Sequence, residues 1–350
     1  MSPKFWAGKR VLVTGHTGFK GCWLALWLAS MGARVSGYAL AAPSTPSLWD
    51  LVQAKSGIAS TIADIRDLGA LAKATAAAQP EIVFHLAAQS LVRPSYDDPV
   101  GTYATNVLGT VHVMEAARRA GSVRALVNVT SDKCYENLET GQAYREGDPM
   151  GGRDPYSSSK GCAELVTSAY RLSFFQGAGI ASARAGNVIG GGDWALDRIV
   201  PDTVRAIAAG KPVRVRNPRA VRPWQHVLEP LAGYLALAER LYEKPAGFAE
   251  AWNFGPDEAE AVPVETVATT VTRLWGPPAA WKADAGEHPH EAHFLRLDSS
   301  KARARLDWRP RLKLPLALEW TVDWYRRQAQ GADARQLTLG QIERYMGLAA

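Results

Sequence analysis

Arg10-Val11-Leu12-Val13-Thr14-Gly15-His16-Thr17-Gly18-Phe19-Lys20-Gly21 is the stretch on which the fold turns. A short aliphatic run enters a turn whose glycines, Gly15, Gly18 and Gly21, are spaced Gly-x-x-Gly-x-x-Gly. An apolar segment follows through Trp23, Leu24, Leu26, Trp27 and Leu28 and stops near Gly32. The pattern predicts a buried strand, a tight turn and a helix, with Trp23 and Trp27 in the core. Glycine allows the turn and lets the backbone approach a pyrophosphate, which then sits on the N-terminal amides of the helix. Three glycines alone fit any tight turn. The strand before them and the helix after supply the context of a dinucleotide-binding turn.

Outward from this turn the rhythm repeats. Strands are predicted over 35–40, 58–65, 81–86, 125–130 and 180–184, and helices over 68–78, about 100–120 and 157–175. Such alternation means an α/β fold, a Rossmann-type doubly wound parallel sheet. Strands that lack strict apolar–polar alternation suit a sheet covered on both faces. After Gly186 the rhythm breaks at Gly190-Gly191-Gly192-Asp193, and short, proline-rich elements run on. The expected division is a cofactor-binding domain over 1–186 and a smaller α/β substrate lobe over 187–350, from which the chain is free to cross back to the sheet. The lobe would pack at the C-terminal edge of the sheet, where ligands of such folds bind.

Composition narrows the function. The chain has 350 residues, 47% hydrophobic and 21% charged, with 40 Lys+Arg against 34 Asp+Glu. That length supports a well-buried core and, at ~150 residues per domain, about two domains. No repeat or low-complexity tract appears, and no run of ~18 apolar residues that could span a membrane. The start, Met1-Ser2-Pro3-Lys4-Phe5-Trp6, lacks the apolar stretch of a secretory signal, so a soluble cytoplasmic protein is expected. Cys22, Cys134 and Cys162 form no disulfide framework and no Cys-x-x-Cys pair, and are read as buried thiols. The formal net charge of +6 is scattered along the chain without a basic block, which argues against nucleic acid and for a small anionic ligand.

The chemistry gathers at two strand ends. In Asp154-Pro155-Tyr156-Ser157-Ser158-Ser159-Lys160 the proline suits a helix start, and Tyr156 and Lys160 share one face at i, i+4. A nearby ammonium stabilises a phenolate, which makes Tyr156 a base toward a substrate hydroxyl. The fifth strand ends Val129-Thr130-Ser131-Asp132-Lys133, where Ser131 can hydrogen-bond the same substrate oxygen. Polar strand ends also make ordinary turns, but convergence with Tyr156 favours catalysis. The second strand ends Ser36-Gly37-Tyr38-Ala39-Leu40, with no acid for a ribose hydroxyl and no arginine for a 2′-phosphate, so it is silent between NAD and NADP. Asp64-Ile65 can meet an adenine amino group or be a plain strand end.

These motifs, with His85-Leu86-Ala87-Ala88-Gln89, Asn106, Ala185-Gly186-Asn187-Val188-Ile189-Gly190-Gly191-Gly192-Asp193-Trp194, Arg222-Pro223-Trp224-Gln225-His226 and His288-Pro289-His290-Glu291-Ala292-His293, resemble the extended short-chain dehydrogenase/reductase family over nearly the whole chain. The resemblance is strongest to the branch of CDP-D-glucose 4,6-dehydratases. It implies a tightly bound NAD held by Gly15, Thr17, Gly18, Phe19, Gly21, Asp64, Ile65, Leu86, Ala87, Ala88, Gln89 and Asn106, with Tyr156 and Lys160. It implies a nucleotide-sugar substrate, CDP-glucose, met by Ser90, Asn187, Arg198, Arg222 and His290. Tyr156, helped by Ser131, would take the proton of the sugar 4-hydroxyl while C4 gives hydride to NAD. Asp132 would protonate the departing C6 hydroxyl, and hydride would return to C6.

Related dTDP-glucose dehydratases follow this aspartate with a glutamate that acts as the C5 base. Here Lys133 stands instead, a pattern of the CDP-glucose branch, and is expected to be the base or to stabilise the enolate; a lysine base needs desolvation or a nearby cation. Of Arg198, Arg214, Arg216 and Arg219, at most one or two would meet substrate. His288, His290 and His293 lack the spacing of a zinc site, so no metal is expected. The resemblance further implies a homodimer, paired through the helices over 100–120 and 157–175, and a place in deoxysugar biosynthesis for lipopolysaccharide O-antigen. Three alternatives stand beside it: a sugar-nucleotide 4-epimerase, which does not need Asp132 as an acid; an NADP-dependent reductase that releases its cofactor; and a non-enzymatic dinucleotide sensor, which has no use for Tyr156, Lys160 and Ser131. The preference for cytosine rests on the resemblance alone.

Overall fold

The aliphatic runs become the centre of one sheet. Its strands are β1 (Arg10–Thr14), β2 (Arg34–Ala39), β3 (Ala59–Ile62), β4 (Ile82–His85), β5 (Ala125–Val129), β6 (Gly179–Arg184) and β7 (Ala251–Asn253). All pair in parallel, in the order β7-β6-β5-β4-β1-β2-β3. The strand order reverses between β1 and β4, and the crevice above that switch point is where such sheets bind ligands. The computed structural model describes residues 2–139, 141–284, 286 and 295–348.

Alternate residues of each strand feed two cores. Val11 and Val13 face Phe84, Val127 and Ala181 together with Trp23 and Trp27, both fully buried. Leu12 faces the other way, onto Val83, Leu126, Ile180 and Met114. The first core does not stop at residue 187. It runs on through Trp224, Leu228, Trp252, Trp308, Trp320 and Trp324, so both halves of the chain share one apolar interior. Cys22 and Cys134 are buried, Cys162 is half-buried, and all three are free thiols. Among the described residues no helix is long and apolar enough to cross a membrane.

The structure departs from the sequence reading at four places. The strand expected over 58–65 shortens to β3, an edge strand exposed at every residue. The helix expected over 100–120 is three pieces: Pro99–Tyr103, a π-helical turn at Ala104–Leu108, and Gly109–Ala120. A helix at Val92–Asp97 precedes them, disguised in the sequence by Pro94 in its first turn. β7 belongs to the C-terminal half yet completes the sheet beside β6; three residues carry no periodic signal.

Trp252 anchors β7. It is fully buried, stacks on Phe248 at 5.9 Å and lies under the Lys301 ammonium at 4.5 Å. Trp252→Ala should cost about 3–5 kcal/mol of stability in urea unfolding. A loss below about 1 kcal/mol would detach β7 from the folding core.

Candidate active site

The glycine turn is built for a ligand. Gly15 has φ 80°, and a Cβ there would stand 2.7 Å from the Ala87 amide nitrogen; at Gly21 it would stand 2.1 Å from the Gly15 carbonyl oxygen. Both positions are closed to side chains. Gly18 is different: it lines the cleft, and a Cβ would meet only the Gly15 oxygen at 3.4 Å, so the space above it is left for a bound group. The helix Phe19–Ser30 has no capping side chain, which leaves its first-turn amides as donors for an anion. Thr17 Oγ1 donates to the Leu40 carbonyl at 2.9 Å and fastens the turn to the end of β2.

Phe19, Asp64, Ile65, Leu86, Ala87 and Ala88 line the same cleft, of about 940 Å³. Amide donors below a diphosphate and apolar walls beside it fit a dinucleotide. Asp64 is forked by its neighbour: Arg66 donates from Nε at 2.8 Å and from its backbone at 2.9 Å, and these bonds hold the carboxyl below its usual range. Ile65 is buried, and its carbonyl accepts from His112 Nδ1 at 2.9 Å. Gln89 and Asn106 are not brought to the cleft wall. Asn106 exchanges hydrogen bonds with the Gln89 backbone at 2.8 and 2.9 Å and donates to Ser159 Oγ at 2.8 Å, bracing the loop after β4 against the helix Pro155–Phe174.

At the end of β5, Ser131 caps the short turn Asp132–Cys134; its Oγ accepts from the Lys133 amide at 3.2 Å and donates to Asp132 Oδ1 at 2.9 Å. Asp154 caps the helix Pro155–Phe174 by accepting from the Ser157 amide at 2.9 Å, with Pro155 in the first turn. That start brings Tyr156 and Lys160 to the cleft beside Ser131, Asp132 and Lys133. Tyr156 lines the cleft beside Ser131, and Lys160 Nζ donates to the Val129 carbonyl at 3.3 Å. Asp132 is fully buried; Asn187 Nδ2 lies 3.4 Å from Oδ2 and Lys133 Nζ 3.7 Å from Oδ1. A Cβ on Gly186, two residues past β6, would stand 1.8 Å from the Asp132 carboxylate, so any side chain there would displace that group.

Burial dominates the electrostatics. It pushes the Tyr156 phenol up to about 12, against a downward pull from Ser131, and it draws the Lys160 ammonium down to about 8. In the protein alone, therefore, Lys160 does not lower Tyr156 as the sequence suggests, because both groups have left water. On the substrate side Ser90, Asn187, Arg198 and Arg222 all line the cleft. Arg198 donates to Asp193 Oδ2 at 2.8 Å, and the buried Arg222 to the Val221 carbonyl at 3.0 Å. His290 lies outside the described residues, as do His288 and His293.

Two contributors escape the sequence reading. Lys20 lines the cleft, and burial first, then Arg198, Lys160 and Lys133, draws its ammonium down to about 7. Its signal was a lone charge in a helix that is otherwise apolar. Glu164 sits one turn beyond Lys160, buried under the site. Its oxygens accept from Thr130 Oγ1, Ser182 Oγ and Arg184 NH2, the last at 2.8 Å. Arg184 NH1 donates to the Tyr135 hydroxyl at 2.6 Å, which donates to Asn253 Oδ1 at 2.7 Å. One network thus ties β5, β6, β7 and the helix Pro155–Phe174 together.

A family model described as GDP-mannose 4,6 dehydratase matches residues 12–255. The chain is 54% identical over 353 aligned residues to the CDP-glucose 4,6-dehydratase of Salmonella typhimurium, covering 99% of this chain and 98% of that one. An epimerase from Methanothermobacter thermautotrophicus superposes with a TM-score of 0.84 at 26% identity, over 94% of this chain and 95% of that one. The UDP-glucose 4-epimerase of Thermus thermophilus, solved with NAD, superposes with a TM-score of 0.78 at 26% identity, over 90% and 98% of the two chains.

The buried network makes a direct prediction. Glu164→Ala should cost about 3–5 kcal/mol in urea unfolding followed by circular dichroism, because Arg184 is left buried without its counter-ion. Adding Arg184→Met should recover much of that loss. A single variant as stable as the parent would mean that the pair does not hold these elements together.

Proposed function

This chain belongs to the GDP-mannose 4,6-dehydratase family, and we propose that it converts CDP-D-glucose to CDP-4-dehydro-6-deoxy-D-glucose with a tightly bound NAD. It is an NAD-dependent hydro-lyase of the extended short-chain dehydrogenase/reductase type. The observation that carries the reading is the meeting of Tyr156, Ser131, Asp132 and Lys133 in one cleft with the glycine turn. An oxidation needs the first two residues; an elimination needs an acid and a base as well, and Asp132 with Lys133 supply that pair.

Gly15, Gly18, Gly21 and the first-turn amides would hold the cofactor's diphosphate, with Lys160 on its ribose. When bound, NAD supplies the redox chemistry, accepting hydride from C4 and giving it back at C6. Tyr156 takes the C4 hydroxyl proton. The 4-ketone acidifies C5, whose proton Lys133 removes. Asp132 protonates the leaving C6 hydroxyl, and Lys133 returns its proton to C5. Asn187, Arg198 and Arg222 hold the sugar nucleotide, whose diphosphate suits the arginine forks.

A 4-epimerase shares the fold and uses Tyr156 and Lys160, but gives Asp132 and Lys133 no work to do. The finer assignments belong to the same reading: a cofactor domain over 1–186 with a substrate lobe over 187–350, a cytoplasmic enzyme, and a homodimer that supplies deoxysugars for O-antigen. Support for the dimer comes from the apolar residues Val100, Leu165, Leu172 and Phe174, which stand exposed on the helices expected to pair.

Incubation with CDP-, dTDP-, UDP- and GDP-glucose, followed by NMR, should give a 4-keto-6-deoxy product from CDP-glucose. No product from any of the four would end the dehydratase reading. Lys133→Ala should lose C5 deuterium exchange by at least ~100-fold, and exchange at the parent rate would remove Lys133 as the base. Lys160 is cationic below and neutral above about 8, so kcat should fall as pH rises through that value. Lys160→Arg, whose guanidinium stays charged, should move that limb upward; an unmoved limb would assign it to another group.

A further inference from the structure

Two arginines from opposite halves of the chain meet over one carboxylate at the cleft. Arg93 rides on the helix Val92–Asp97, which follows β4. Arg216 follows the short strand Val213–Val215, and Asp197 precedes the helix Ile199–Ala208. All three line the cleft. Arg216 NH1 donates to Asp197 Oδ1, and its NH2 donates to the Asp197 carbonyl at 3.2 Å. The same Oδ1 lies 3.9 Å from Arg93 NH1, an ion pair beyond hydrogen-bond reach. Asp202, the next carboxylate along the chain, is taken up by Arg205. Two guanidinium groups thus share Asp197, and one positive charge is left over on the cleft wall.

A second pair in the same segment is held differently. Arg198 donates to Asp193 Oδ2 at 2.8 Å, and the Asp193 side chain is only 5% exposed. Asp193 Oδ1 accepts from the Ala195 amide at 3.0 Å, and its carbonyl accepts from the buried Tyr325 hydroxyl. Asp193 is built in. The Asp197 side chain is 35% exposed and stands in a turn outside any helix or strand. Its backbone sits at φ 63°, where a residue with a Cβ rests at a cost. An ion pair this open to water is weak. A phosphoryl group carries more charge than a carboxylate and matches the guanidinium fork, so it outbids Asp197 for both arginines.

We infer that Arg93 and Arg216 are ligands of the substrate's diphosphate, one from each half of the chain, and that Asp197 holds their place until the diphosphate displaces it. The inference rests on the nucleotide-sugar reading above. Binding exchanges one anion for another: Arg216 gives up the carboxylate and carbonyl of Asp197 and turns its fork to phosphoryl oxygens. The diphosphate then bridges the two arginines and joins the cofactor half of the chain to the substrate half. Asp197 is therefore a competitor of the ligand, and its loss tightens nucleotide binding. A carboxylate that only oriented its arginines would act in the opposite sense, as Asp193 does toward Arg198.

The test is calorimetric titration of CDP into the NAD-loaded enzyme. Asp197→Asn keeps the shape of the side chain, suits the positive φ and removes the charge; it should bind CDP about 2- to 5-fold more tightly than wild type. Arg93→Met and Arg216→Met should each bind CDP at least ~10-fold more weakly. With both arginines replaced, Asp197→Asn should bring no gain, because nothing is left to compete for. With CDP-glucose the same shifts should appear in KM while kcat holds. Asp193→Asn should bind CDP more weakly. Unchanged or weaker CDP binding by Asp197→Asn would overturn the inference. So would a gain that persists without the two arginines, or an equal gain in Asp193→Asn, since any lost negative charge would then serve. Arginine variants that bind CDP as wild type does would also overturn it. Wild-type enzyme that binds none of CDP, dTDP, UDP and GDP would instead end the nucleotide-sugar reading, and this inference with it.

Discussion

The buried carboxylate of Glu164 is the constraint on which the site depends. A charge with no access to water must be answered by donors, or it costs several kcal/mol. Its three donors come from the end of β5, from β6, and from Arg184, which reaches on to Tyr135 and β7. Satisfying Glu164 therefore fixes where β5 ends relative to the helix Pro155–Phe174. That distance is the one the proposed chemistry needs, because Ser131 and Asp132 ride on the strand end and Tyr156 and Lys160 on the helix. Burial alone would raise the carboxyl, but Arg184 and the hydroxyl donors hold it below its usual range, so it stays charged.

The same logic explains what could be read from the sequence. The aliphatic runs and the Gly15, Gly18, Gly21 turn are local signals, and they led to the first six strands of the parallel sheet. Tyr156 and Lys160 were legible because one helical turn separates them. What stayed hidden was non-local. Glu164 falls on the same helical face as Lys160, but its role appears only when β5 and β6 are placed beside it. β7 is three residues of an otherwise irregular stretch, and its partner β6 lies far back in the chain. The Tyr156 environment also had to be seen in three dimensions, since i, i+4 spacing shows the neighbouring ammonium and not the loss of water.

Charge acquires a place. The basic residues scattered along the sequence converge, with Lys20, Lys133, Lys160, Arg198 and Arg222 all on one cleft and Asp132 at its floor. Two diphosphates, one from the dinucleotide and one from the sugar nucleotide, match that excess. An enolate formed at C5 would develop in the field of these charges, which favours elimination over simple oxidation.

The central claim is that one hydride leaves C4 and arrives at C6 of the same sugar without leaving the protein. CDP-glucose deuterated at C4, turned over by the holoenzyme and examined by NMR, should give a 4-keto-6-deoxy product with deuterium at C6. Deuterium found at C4 of an epimerised sugar, on a released cofactor, or in water would contradict it.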